Sequence, residues 1–152
     1  MKLANSISIR VFSREGEDDA AIVETLKRLA PFDYEAEKIK FSTQNTTGFN
    51  ETPMKIYTLL LEKERHTRKF IDLLLERISP EQKQLLLRQK ESRLDEQLNF
   101  YIRLDKEKLL DGICQITDGG NCYHITISLA VFPAKRKVAL KLIEQIIKND
   151  TG

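Results

Sequence analysis

Tryptophan is absent from this chain, histidine and cysteine occur twice each, and there are only six glycines and four prolines in 152 residues. So little glycine and proline leaves no low-complexity linker and no collagen-like repeat. The nucleotide-cradling and hydrolase signatures are missing as well: there is no P-loop, no G-x-G-x-x-G, no G-x-S-x-G and no H-E-x-x-H. His66 and His124 stand far apart and belong to no ligand motif, so neither a metal nor a cofactor is expected. Cys114 and Cys122 form no C-x-x-C pair. They flank Asp118-Gly119-Gly120 and could face each other across a hairpin, but two buried or free thiols are the reading preferred to a disulfide, because nothing indicates secretion. No apolar run approaches the roughly 18 residues of a membrane span. The opening MKLANSISIRVFSREGE lacks the apolar core, roughly 7–15 residues long, of a signal peptide. The expectation is a cytoplasmic protein with no membrane contact.

What is present is globular in type. Hydrophobic residues make up 41% and charged residues 32%. A chain of this length buries roughly 68–70% of its unfolded surface, enough for a core without staples. It is expected to form a single domain over residues 1–152. The net charge of +2 does not by itself argue for nucleic acid, but its distribution is uneven. Residues 52–90 carry 9 basic against 5 acidic side chains and residues 113–152 carry 5 against 3, whereas residues 1–51 carry 7 against 9. Positive charge therefore gathers around two helices, the kind of footprint that phosphate binding uses.

Taken in order, residues 5–13 alternate, with Ile7, Ile9 and Val11 on one side and Ser6, Ser8 and Arg10 on the other, which is a half-buried strand. Glu17, Asp18 and Asp19 open a helix carrying Ile22, Val23, Leu26 and Leu29, stopped by Pro31. A second strand is expected near 36–42 and a third over 54–62. Between them, residues 42–53 (STQNTTGFNETP) read as a long polar loop in which Gly48 permits a positive φ and which Pro53 ends. A helix over 63–78 buries Thr67, Phe70, Ile71, Leu74, Leu75 and Ile78, and Ser79-Pro80-Glu81-Gln82 caps the next. Leu98, Phe100, Ile102 and Leu104 mark a fourth strand, followed by a helical turn at 105–108. Residues 113–117 read as a fifth strand, turned back at Asp118-Gly119. The sixth sets Tyr123, Ile125, Ile127, Leu129 and Val131 inward and Cys122, His124, Thr126 and Ser128 toward solvent or a ligand. A final helix buries Ala139, Leu142, Ile143, Ile146 and Ile147. The fold class expected is α+β: one antiparallel or mixed sheet of about six strands with about four helices packed mainly on one face.

The candidate binding residues are cations. Lys135, Arg136 and Lys137 open the last helix directly after a strand, and Lys141 and Lys148 continue along its outer face, where they suit a phosphate backbone. Arg65, Arg68 and Lys69 crowd the first turns of an earlier helix, against its macrodipole, a placement that stability disfavours. In the polar loop Gly48, Phe49 and Asn50 could approach a ligand. Phe49 and Tyr101 are the aromatics best placed to stack on unpaired bases. Solvated helix faces, with Glu62, Glu64 and Asp72 pairing the early cations, explain the same charges without any ligand. Three readings stay open: an RNA binder, a protein-interaction adaptor within a larger complex, and an enzyme whose groups only the fold brings together, for instance near His124.

The order of elements, with Leu104-Asp105-Lys106, Asp118-Gly119-Gly120 and Pro133-Ala134-Lys135-Arg136, resembles an archaeal family of predicted RNA-binding proteins described as exosome subunits or exosome-associated proteins. The likeness runs from about Ser6 to Lys148. It implies a fold similar to the large-subunit ribosomal protein that binds 5S RNA, and RNA binding without catalysis, with RNA and possible RNA-processing proteins as partners. The family carries a glycine-rich loop ahead of its third strand, roughly Gly-x-x-Gly-Asn-Pro. Here residues 47–53 keep one of those glycines, Gly48, and lengthen the segment before Pro53.

Overall fold

The computed structural model of the chain describes residues 2–149. Ten strands and α-helices follow one another within these residues, with a 3-10 turn at Phe49–Glu51 between the second and third strands: β1 (Ala4–Arg14), α1 (Asp19–Leu29), β2 (Lys40–Thr47), β3 (Pro53–Leu61), α2 (Glu64–Arg77), α3 (Pro80–Arg88), β4 (Asn99–Asp105), α4 (Lys106–Leu110), β5 (Cys122–Leu129) and α5 (Arg136–Asn149). The strands make one open antiparallel sheet in the order β2-β3-β1-β5-β4. The chain groups into two compact units. The first takes the residues up to Ile7, Glu62–Ile102 and the segment from Thr126 onward; the second takes Ser8–Leu61 and Arg103–Ile125.

In the first unit the helices meet the apolar side of the strands. Phe70, Ile71, Leu74 and Leu75 of α2, Leu86 of α3 and Ala139, Leu142, Ile143 and Ile147 of α5 are all buried, as their spacing requires. An apolar cavity of about 30 Å³ lies among Ile71, Leu74, Phe100, Ile127, Leu129 and Ile143. Helix α3 starts as its sequence dictates, with the Ser79 hydroxyl accepting the Gln82 N–H at 3.2 Å.

In the second unit Asp18 caps α1 by accepting the Ala21 N–H at 3.1 Å, and Ile22, Leu26 and Leu29 are buried. The Tyr123 hydroxyl, fully buried, donates to the Ile22 carbonyl at 2.8 Å and ties β5 to α1. Lys106 is buried too, its ammonium donating to the Phe12 carbonyl at 2.7 Å and to Glu17 Oε1 at 3.0 Å.

Several expectations need correction. Among the described residues there are five strands where about six were expected, and five α-helices where about four were expected, the extra helix being α4. Residues 113–117 make no strand. Asp105 N–H reaches the Gln115 carbonyl at 2.8 Å and Thr117 N–H the Arg103 carbonyl at 2.9 Å, around a single bridge between Leu104 and Ile116. Ile116 is the one side chain of the segment that is buried, and Ile113 is 51% exposed, so no second apolar contact extends the pairing. The polar stretch 42–53 is mostly hairpin. Ser42 to Thr47 pair antiparallel with Thr58 to Pro53, leaving 48–52 as the loop. Both faces of that distal ladder are largely exposed, which is why it shows no apolar alternation. Gly48 has φ −91°, so positive φ falls instead on Asn50 (63°) and Glu51 (59°). Cys122, expected on the solvent face, is buried.

Candidate nucleic-acid interface

The basic end of the chain begins with a tight turn in the first unit. Lys135 N–H donates to the Pro133 carbonyl at 2.8 Å, and the Lys135 carbonyl then accepts the Ala139 N–H at 3.0 Å, the first bond of α5. Because the buried stripe of α5 faces the strands, Lys137, Lys141 and Lys148 stand on its exposed side, and Lys135 and Arg136 are exposed as well. Arg136 nevertheless has fixed partners. Its guanidinium donates to the Leu94 carbonyl at 3.0 Å and the Glu91 carbonyl at 2.5 Å. Of the three adjacent cations, the middle one thus anchors the helix start and the outer two project.

Glu144 is the single acidic residue in α5. Lys90 hydrogen-bonds it at 3.2 Å, and that bond, the Lys90 charge and the further charges of Lys148 and Lys141 hold its carboxyl below the usual range. A groove of about 510 Å³ between α3 and α5 is lined by Arg88, Lys90, Glu91, Glu144 and Lys148 together with Gln84 and Leu87. Arg88 and Lys90 were not legible as part of this site, since only packing sets the end of α3 beside α5. On α2, also in the first unit, Arg65, Arg68 and Lys69 are exposed while His66, Thr67, Phe70 and Ile71 turn inward. The first unit therefore holds Lys135, Arg136, Lys137, Lys141, Arg65, Arg68 and Lys69, whereas Gly48, Phe49 and Asn50 belong to the second.

The hairpin loop is closed by Gly48 N–H to the Thr52 carbonyl at 2.7 Å and Glu51 N–H to the Gly48 carbonyl at 3.1 Å. A side chain at Gly48 would bring its Cβ within 2.5 Å of Met54 Sδ, so close approach is what this glycine provides. Asn50 is exposed; the Phe49 side chain lies outside the described residues. Nearby, a groove of about 300 Å³ is lined by Arg14, Asp19, Asn45, Thr46, Met54 and Lys55, among others. The Ser13 hydroxyl donates to Asp19, and with Tyr57 and Lys55 (3.5 Å) it outweighs partial burial to hold that carboxyl below its usual range.

Tyr101, expected as a stacking ring, is half-buried and its hydroxyl donates to Asp95 Oδ2 at 2.5 Å. His124 is half-buried on β5, and burial followed by the positive charges of Arg103 and Arg10 pushes its imidazole below the ordinary value. The aromatic that sequence reasoning passed over is Phe132, 96% exposed on the turn just ahead of Lys135. Its signal was visible: an aromatic outside the alternation of β5, set between that strand and a proline beside three cations.

The profile of a family described as RNA binding matches residues 6–130. An RNA-binding protein of Pyrococcus abyssi is 28% identical over 147 residues, which cover 97% of this chain and 96% of the relative. Among solved structures, a DUF54-family protein of Archaeglobus fulgidus is similar with TM-score 0.83 and 26% identity, covering 95% of this chain and 99% of the other. A DUF54 protein of Methanothermobacter thermautotrophicus gives TM-score 0.78 at 26% identity, covering 95% and 98%.

Proposed function

This chain belongs to the RNA-binding family, and on that premise we propose that it is a non-catalytic RNA-binding protein gripping the phosphate backbone through its basic helix surfaces. Lys135, Lys137 and Lys141 make the primary contacts, Arg65, Arg68 and Lys69 form a second patch, and the loop at Gly48, Phe49 and Asn50 approaches the RNA. The outer face of α5 carries the reading: one carboxylate, Glu144, stands among Lys141, Lys148 and Lys90, leaving positive charge in excess. Long ammonium side chains on an ordered helix match phosphates as point charges and read no sequence. The resemblance to exosome-associated proteins supports a role as an accessory factor in RNA processing or turnover.

The experiment is a salt titration of RNA affinity. The wild-type chain should lose affinity log-linearly with salt, and each of Lys135→Gln, Lys137→Gln and Lys141→Gln should lower the slope by about 0.7 on single strands. Unchanged slopes in all three variants, with the fold intact, would remove α5 from the interface.

A further inference from the structure

We propose that Phe132 is a base-stacking platform, and that the ligand of the α5 basic end is single-stranded RNA with an unpaired base seated on this ring; the inference rests on the RNA-binding reading above. Phe132 is 96% exposed, and among the described residues the other large apolar side chain counted as exposed is Ile113, at 51%. Scattered surface hydrophobics are ordinary, but an aromatic side chain this bare presents a whole π-face to solvent. Its position narrows the occupant. Pro133 and Ala134 come next, then Lys135, whose N–H bonds the Pro133 carbonyl at 2.8 Å. The turn leads straight into Arg136, whose guanidinium is fastened to the Leu94 and Glu91 carbonyls. The ring is therefore carried on a turn with few free torsions, beside two projecting ammonium groups, Lys135 and Lys137.

Stacking face and phosphate-binding charge on one ordered turn form the pairing that single-stranded nucleic acid requires. A duplex keeps its bases stacked inside and offers this ring nothing, so the turn selects unpaired RNA. A purely protein partner would be served by the ring but has no need of Lys135, Lys137, Lys141 and Lys148 along the same helix.

The test uses the full chain with an oligoadenylate and with a fully paired RNA duplex as probes. Phe132→Ala should weaken oligoadenylate binding at least about fivefold, the low end for loss of one stacked base, with the salt slope unchanged because no phosphate contact is removed. Phe132→Trp should retain the affinity. Since the chain has no other tryptophan, its fluorescence reports on this site alone and should be quenched by oligoadenylate and not by the duplex. Oligoadenylate affinity of Phe132→Ala within about twofold of wild type, or a tryptophan signal that oligoadenylate leaves unmoved, overturns the inference even if the lysine variants lose slope as expected. Loss of self-association by Phe132→Ala at unchanged RNA affinity overturns it as well and gives the ring to a second copy of the chain. Failure to bind either RNA would fail the underlying reading along with it.

Discussion

Arg136 donates from its guanidinium to the backbone carbonyl of Leu94, 42 residues earlier in the chain, at 3.0 Å. The second terminal nitrogen reaches the Glu91 carbonyl at 2.5 Å, so one side chain satisfies two loop acceptors and fixes where α5 begins. Arg136→Gln should therefore lower stability by about 1–2 kcal/mol, the weight of charge-assisted bonds at a partly exposed site. Lys135→Gln and Lys137→Gln should leave it within about 0.5 kcal/mol. Urea midpoints of the three variants check this, and equal midpoints would show the guanidinium bonds to be idle.

Lys106 should be the more sensitive cation. It is 2% exposed and bonded to the Phe12 carbonyl and Glu17. Lys106→Met takes the ammonium away from the Phe12 carbonyl and leaves Glu17 Oε1 with the Arg14 N–H but without its charged donor, and should cost about 2 kcal/mol, below the usual figure for a buried pair because Glu17 is partly solvated. Burial pushes the Glu17 carboxyl up, but the Arg14 N–H and Lys106 together win and lower it from 4.5. The stability this confers is present above pH 4.5 and lost as pH falls through the folded value. In Lys106→Met, denaturation monitored against pH should show a shallower acid limb.

His124 titrates in a different window. Burial first, then Arg103 and Arg10, depress its pKa below 6.5, so the folded chain favours the neutral imidazole. Below pH 6.5 the unfolded chain takes up the proton before the folded one, and stability should decline until the folded value is passed. His124→Gln should remove that decline while leaving the carboxylate limb near pH 4 in place; a variant with the wild-type profile would assign the decline elsewhere.

Gly48→Ala places a methyl 2.5 Å from Met54 Sδ, closer than van der Waals contact allows. The backbone φ of −91° suits any residue, so the effect is steric and Met54 can swing away. A loss of about 0.5–1 kcal/mol is expected, and Met54→Ala should absorb most of it in a double-mutant cycle. Additive losses would place the strain in the backbone instead.

The sequence by itself determined most of the elements. Alternation wrote β1, β3, β4 and β5 within a residue or two, because a sheet with one buried face forces period two. Apolar spacing and caps wrote α1, α2, α3 and α5, down to the Ser79 cap. The projecting lysines of α5 were legible for the same reason, since the buried stripe dictates the opposite face. Tertiary structure alone decided the rest. The distal half of β2 has no pattern because neither face is buried, and only its pairing with β3 makes it a strand. Residues 113–117 have strand-like composition but bury one side chain, so composition misled. Composition cannot separate Arg136 from Lys135 and Lys137; what separates them is the arrival of two carbonyl groups from the 91–94 loop. Nor does sequence spacing show that Lys90 meets Glu144, or that Phe132 is left bare, because exposure is set by what the rest of the chain fails to cover.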